Sequence, residues 1–238
     1  MTVIDPSIDC VDFSAQARLV HKWTEESGQH VVVEGLRGSS RAFFLAKLIK
    51  AQKRPVVIFT ADQNRGEALL EDLKYFFRHE KIKINPCFFP AWELLPYEPL
   101  SPLNEISGER LDILNRLRTE EPLVLVVPLE AGLQKVMPRL VLEKLILPVK
   151  RGMSLDREFL EACLSENGFT RSALVESRGE FSVRGDIVDF FQPGGMNPLR
   201  VEFFGDEVES IREFDALSQV SFNELEAVNI LPVRELCL

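Results

Sequence analysis

Apolar residues recur at helical spacing over residues 14 to 28, where Ala15, Leu19 and Trp23 lie near one face and Gly28 supplies a stop. Val31 to Val33 is a short apolar run that reads as a strand. Phe44, Leu45, Leu48 and Ile49 predict a helix from Phe43 to Lys53, ended by Pro55. Val56 to Phe59 reads as a second buried strand. Asp62 is placed to cap a helix carrying Ala68, Leu69, Leu73 and Phe76. Cys87 to Phe89 is a short third strand. The prolines between Pro90 and Pro102 exclude a regular helix or a central strand, so "PAWELLPYEPLSPLNEIS" reads as an extended strap packed on the domain. A helix from Ile106 to Arg118 and a strand from Leu123 to Val127 follow. This alternation predicts a parallel α/β sheet.

The pattern changes near Pro138. Leu145 to Val149 and the segment around Met153 lead into a helix from Leu155 to Asn167, closed by Gly168. From Leu174 onward the period is two. Phe181 and Val183 precede the turn Arg184-Gly185-Asp186, and Ile187, Val188 and Phe190 follow it. Val201, Phe203 and Phe204 lead to a Gly205-Asp206 turn and then to Val208 and Ile211, a second hairpin. The fold expected is therefore α/β in residues 1–138, followed by a separate α+β domain in residues 139–238.

Composition narrows the function. The chain has 238 residues, and 45% of them are hydrophobic, enough for two modest cores. No apolar run reaches the roughly 18 residues that span a bilayer, and the N-terminus lacks a basic-then-apolar signal pattern, so the expected location is cytoplasmic. Cys10, Cys87, Cys163 and Cys237 form no C-x-x-C pair. With only 3 histidines, neither a metal site nor a disulfide framework is expected. The net charge of −9 argues against a broad surface for duplex DNA, while local basic clusters remain compatible with an acidic partner.

"VVVEGLRGSSRA" comes close to a phosphate-binding loop. Such a loop needs G-x-x-x-x-G-K-[ST], with a lysine for the outer phosphates and a hydroxyl for Mg²⁺. Counted from Gly35, and with Gly38 inside the loop, Ser40 stands at the second glycine, Arg41 at the lysine and Ala42 at the hydroxyl residue. Ala42 offers the metal no oxygen, and the arginine fork does not replace a lysine ammonium. No catalytic residue, cofactor or metal is expected here.

Taken in order, "VVVEGLRGSSRA", "PVVIFTADQNRGEALLEDLKYFF", "FFPAWELLPYEPLSPLNEISGERLDILNRL", "GEFSVRGDIVDFFQPG" and "VEFFGDEVESIREFDALSQ" resemble the N-terminal, UvrB-like module of the bacterial transcription-repair coupling factors, the Mfd family. The resemblance covers roughly residues 15 to 236. It implies that residues 1–138 are an incomplete, degenerate phosphate-loop domain (UvrB-like domain 1a), and that residues 139–238 are the UvrA-interaction domain. The tyrosine-rich hairpin with which UvrB probes DNA has no room in the short strap. Family proteins continue into polymerase-binding and translocase domains, so this chain is expected to be a truncated or excised piece. RNA polymerase and DNA would be partners only of those further domains.

The resemblance implies UvrA as partner, docking through arginines around the R-G-x-F-x-V-R-G motif. The positions that match are Arg178, Gly179, Phe181, Arg184 and Gly185, with Arg171 upstream. Asp186 and Glu180 are placed to orient the guanidinium groups, and UvrB has an arginine where Ser182 stands. From the residues alone, Arg171, Arg178 and Arg184 are a basic cluster in an acidic chain, suited to charge-assisted bonds with carboxylates. Phe181 also fits a core strand, Gly185 a turn, and Trp92 and Tyr97 ordinary packing. The competing readings are a UvrB-like nucleotide-driven ATPase and a DNA-binding module.

Overall fold

The computed structural model describes residues 13–25, 31–51, 55–92, 103–118 and 122–235. It divides into two compact units, one of Met1–Phe88 with Glu121–Leu129 and one of Phe89–Glu120 with Glu130–Leu238.

The first unit contains α1 (Ser14–Glu25), α2 (Ser40–Ala51), β1 (Val56–Thr60), α3 (Gln63–His79), β2 (Cys87–Phe88) and β3 (Val124–Pro128). The three strands form a parallel sheet in the order β1-β3-β2. This is the parallel α/β arrangement that the alternation predicts. Ala42, Ala46 and Ile49 of α2 and Leu73 and Phe77 of α3 pack on Val124 and Val126 of β3. Asp62 caps α3 as expected, its Oδ1 accepting from the Arg65 N–H at 2.9 Å.

Val31–Val33 does not form the expected strand. The segment has no strand assignment, and Val32 is 80% exposed. Val31 and Leu36 are instead drawn into a small cluster with Ala17, Val20 and Phe44 between α1 and α2. That packing, with Gly35 turned to φ +85, pulls the segment away from sheet geometry. Gly28 and residues 93–102, Tyr97 included, lie outside the described residues.

Glu80, just past α3, receives Lys47 at 2.8 Å and Lys50 at 3.0 Å. Chiefly the bond from Lys47, with Lys50 adding to it against burial, lowers its pKa to about 2. A lowered carboxylate pKa contributes stability that is fully present above the unfolded value of 4.5 and is lost as pH falls towards 2. Thermal melts at pH 6, 4 and 3 should therefore show Glu80→Gln melting lower than wild type at pH 6, with the gap narrowing at pH 4 and again at pH 3. A gap that does not change with pH would show that Glu80 contributes by packing alone.

The second unit contains α4 (Asn104–Arg118), most of α5 (Leu129–Leu133), α6 (Arg139–Leu145), β4 (Leu147–Lys150), α7 (Arg157–Glu166) and seven further strands. These are β5 (Thr170–Arg171), β6 (Glu180–Arg184), β7 (Ile187–Phe190), β8 (Leu199–Phe204), β9 (Glu207–Phe214), β10 (Ser221–Glu224) and β11 (Ala227–Ile230). Six strands form one sheet in the order β10-β9-β8-β7-β6-β5, and β11 pairs antiparallel with β4. Both expected hairpins are present. Gly185 at φ +59 and Gly205 at φ +62 open two-residue loops, each followed by an aspartate, which suits a primed hairpin turn.

Alternation sorts the sheet into two faces. Phe181, Val188, Phe190, Val201 and Ile211 point inward onto Leu160 and Leu164 of α7. Ser182, Arg184, Asp189, Arg200 and Arg212 fall on the other face. Part of that outer face is covered by Val175, Phe191 and Phe214.

Elsewhere in this unit Arg110 is fully buried. Its guanidinium pairs with the Glu235 carboxylate, donates to the Pro90 carbonyl at 2.7 Å and to Gln134 Oε1 at 3.2 Å, and lies against the Phe89 and Trp92 rings. Trp92 Nε1 also donates to Glu235. Trp92 is thus a packing residue, as its place in the strap suggests.

Candidate functional site

The short hairpin β6–β7 fixes most of the candidate residues. Pairing places Ser182 opposite Asp189 and Arg184 opposite Ile187, and the next strand places Arg200 opposite Asp189. Asp189 is 1% exposed and central to a three-residue network on the outer face. Its Oδ1 accepts from Arg200 Nε at 2.8 Å, and its Oδ2 accepts from Arg200 Nη2 at 3.0 Å and from Arg184 Nη2 at 2.6 Å. The hydrogen bonds from Arg200 to Asp189 raise the arginine pKa despite burial. The Arg200 guanidinium also lies 4.6 Å from the centre of the Phe214 ring.

Arg178 joins the same face. It lies over Phe191, 5.6 Å from the ring centre. Asp186 sits at the hairpin tip, 79% exposed, 3.8 Å from the Arg157 guanidinium at the start of α7. Arg157 also donates to the Gly185 carbonyl, which ties the tip to α7. Glu180 turns to the preceding loop and accepts from the backbone N–H groups of Glu176 and Ser177, so it does not orient an arginine.

Arg171 lies elsewhere. It is in register with Phe181, so it shares the inner side of the sheet, where it pairs with Glu161 of α7. The structure therefore brings Arg178 and Arg184 to one face and sets Arg171 on the opposite face of the same sheet edge. Phe181 is not a surface residue: its side chain is 1% exposed within the core against α7. Ser182 is also buried and donates to the Ala173 carbonyl at 3.1 Å.

In the glycine loop, Ser40 and Arg41 are occupied by their own backbone. Ser40 Oγ accepts from the Arg37 N–H at 2.8 Å and donates to the Arg37 carbonyl at 2.7 Å. Arg41 Nε donates to the Leu36 carbonyl at 3.4 Å. Gly35 and Gly38 both adopt positive φ, and Ala42, in the first turn of α2, is buried in the core. Among the described residues no group of three or more His, Cys, Asp or Glu could hold a metal ion, and no helix is long and apolar enough to cross a membrane.

Residues 147–236 match the family described as the UvrB interaction domain. Over that stretch the chain is similar to a UvrB interaction domain. The matched stretch begins at β4, contains α7 and the six-stranded sheet, and includes all five candidate docking residues. Over a longer span the chain is 39% identical across 216 residues to the transcription-repair-coupling factor of Myxococcus xanthus, covering 89% of this chain and 18% of that protein. It is 32% identical across 210 residues to the Escherichia coli protein of the same name, covering 88% of this chain. The UvrABC system protein B of Metamycoplasma arthritidis matches at 26% over 206 residues, 31% of its length. The chain thus spans under a fifth of the coupling factors it matches. The likeness to a UvrB-like module of the coupling factors holds along most of its length.

Within the matched stretch, Asp189 and Arg200 are the residues that sequence reasoning missed. The signal was available for Asp189. An acid between the apolar residues of "IVDFF" falls on the face opposite Val188 and Phe190, and a carboxylate covered there requires cationic partners. Nothing in the sequence points to Arg200 as that partner without knowledge of the strand register.

Proposed function

We propose that this chain is a non-catalytic docking module for UvrA in transcription-coupled nucleotide excision repair. Residues 139–238 provide the docking surface, and residues 1–138 act as a UvrB-like scaffold. The observation that carries the reading is Arg184, 45% exposed beside a buried acid inside the stretch that matches the UvrB interaction domain. Arg178 and Asp186 extend this surface along the hairpin. Arg171 belongs to it only if UvrA straddles the β5–β6 edge, because Arg171 and Arg184 face opposite ways. The absence of catalysis is supported by a loop whose serine and arginine bond to its own backbone and whose Ala42 has no oxygen for a metal. Contacts with RNA polymerase and DNA are assigned to other parts of the longer family proteins.

Titration calorimetry of the chain against UvrA tests the proposal. Wild type should bind at micromolar Kd or tighter. Arg184→Ala should weaken binding roughly thirtyfold, the equivalent of about 2 kcal/mol for a central interface arginine. Arg171→Ala, measured separately, reports whether the edge is straddled. A well-folded wild-type chain that does not bind UvrA would refute the docking role.

A further inference from the structure

We infer that Asp189, braced by Arg200, is a positioning residue that presents the open side of the Arg184 guanidinium to a carboxylate of the docking partner. This rests on the docking function proposed above and names the chemistry of the contact.

The three side chains have unequal roles. Arg200 engages Asp189 with two nitrogens, at 2.8 and 3.0 Å, donates a third bond to the Gln219 carbonyl at 3.3 Å, and lies over Phe214. Gln219 is itself anchored, with Nε2 donating to the carbonyls of Val175 and Ala216. Arg200 is thus held from several sides, and it in turn fixes the plane of the Asp189 carboxylate.

Arg184 is held differently. One nitrogen, Nη2, reaches Asp189 Oδ2 at 2.6 Å, while 45% of the side chain remains exposed. A guanidinium has five N–H donors in a rigid fork, so most of its donors stay open to solvent.

Charge points the same way. One buried carboxylate faces two guanidinium groups, which leaves one net positive charge, and the exposed partner is Arg184. The nearest acid along its row, Glu202, is already engaged by the Ser210 hydroxyl at 2.7 Å and by Arg212 at 3.5 Å. A partner's aspartate or glutamate would complete the fork with a bidentate, charge-assisted pair. Holding Arg184 in place beforehand lowers the entropic cost of that pairing.

The test is a double-mutant cycle of UvrA affinity using wild type, Arg184→Ala, Asp189→Asn and the double variant. Asp189→Asn should weaken binding roughly fivefold, the scale of one side chain's ordering cost. In its background, Arg184→Ala should cost much less than it does in wild type. Additive effects, or binding by Asp189→Asn that is unchanged or tighter, would overturn the inference alone. A wild-type chain that does not bind UvrA would overturn both the docking function and this assignment.

Asp189→Asn strips a buried arginine of its counter-charge and can unfold the sheet, so a second measurement uses wild type. In the free chain, ¹⁵N relaxation of arginine Nε–Hε groups should show Arg184 nearly as restricted as Arg200, with exposed Arg37 mobile. An Arg184 side chain as mobile as Arg37 would overturn the positioning role whatever the affinities.

Discussion

An Arg110→Ala chain is expected to lose about 3–5 kcal/mol of stability, the usual cost of removing one partner from a buried ion pair. Arg110 and Glu235 are both almost wholly buried and lie 125 residues apart in sequence. Removing the guanidinium leaves the Glu235 carboxylate without its counter-charge and the Pro90 carbonyl without its donor. It also empties the space between the Phe89 and Trp92 rings. Glu235→Gln should cost less, because an amide keeps the shape and an acceptor for Arg110, although it strips the arginine of its counter-charge. Urea unfolding followed by tryptophan fluorescence measures both variants, since Trp92 touches the pair directly. If Arg110→Ala unfolds at the wild-type midpoint, this contact does not hold the second unit together.

Phe181→Ala should be comparably damaging, at about 3–5 kcal/mol, the range for deleting a buried phenylalanine. The ring sits on β6 among Leu160, Leu164, Val188 and Phe190, and deleting it leaves a cavity between the sheet and α7. A surface residue of a docking motif would behave in the opposite way, losing binding without losing stability. Phe181→Leu separates the two roles, because it keeps most of the apolar volume. Its thermal midpoint should fall modestly while its affinity for UvrA stays at the wild-type value. A stable Phe181→Leu chain with weakened binding would return Phe181 to the interface.

These two residues mark the limits of what the sequence reveals. Hairpins around Gly185 and Gly205 were legible because turn chemistry and alternation reinforce each other over a few residues. The cap at Asp62 was legible for the same local reason. Val31–Val33 misled because three valines suit a strand by composition, whereas packing against α1 and α2 decided their conformation. The short helices α5 and α6 carry too few turns to show a period. Arg110 and Glu235 each read as an ordinary charged residue, and only the folded chain joins them across 125 positions. Among the candidate docking residues, the motif pointed to Arg178 and Arg184, and the resemblance pointed to Arg171 upstream. The division of Arg171 from Arg184 follows from strand parity, and the Asp189–Arg200 brace from a register that spacing alone does not supply.

The pairing of β4 with β11 has a consequence for modularity. Val149 lies opposite Val228, and Leu147 opposite Ile230, so the first and last strands of the matched stretch run side by side. The polypeptide enters and leaves this stretch through one doorway. A domain built this way is a cassette: a host protein can accept it within a surface loop without stretching its own chain across a gap. The same doorway allows the ends of that stretch to be joined and new ones opened elsewhere, leaving the strand order of the six-stranded sheet intact.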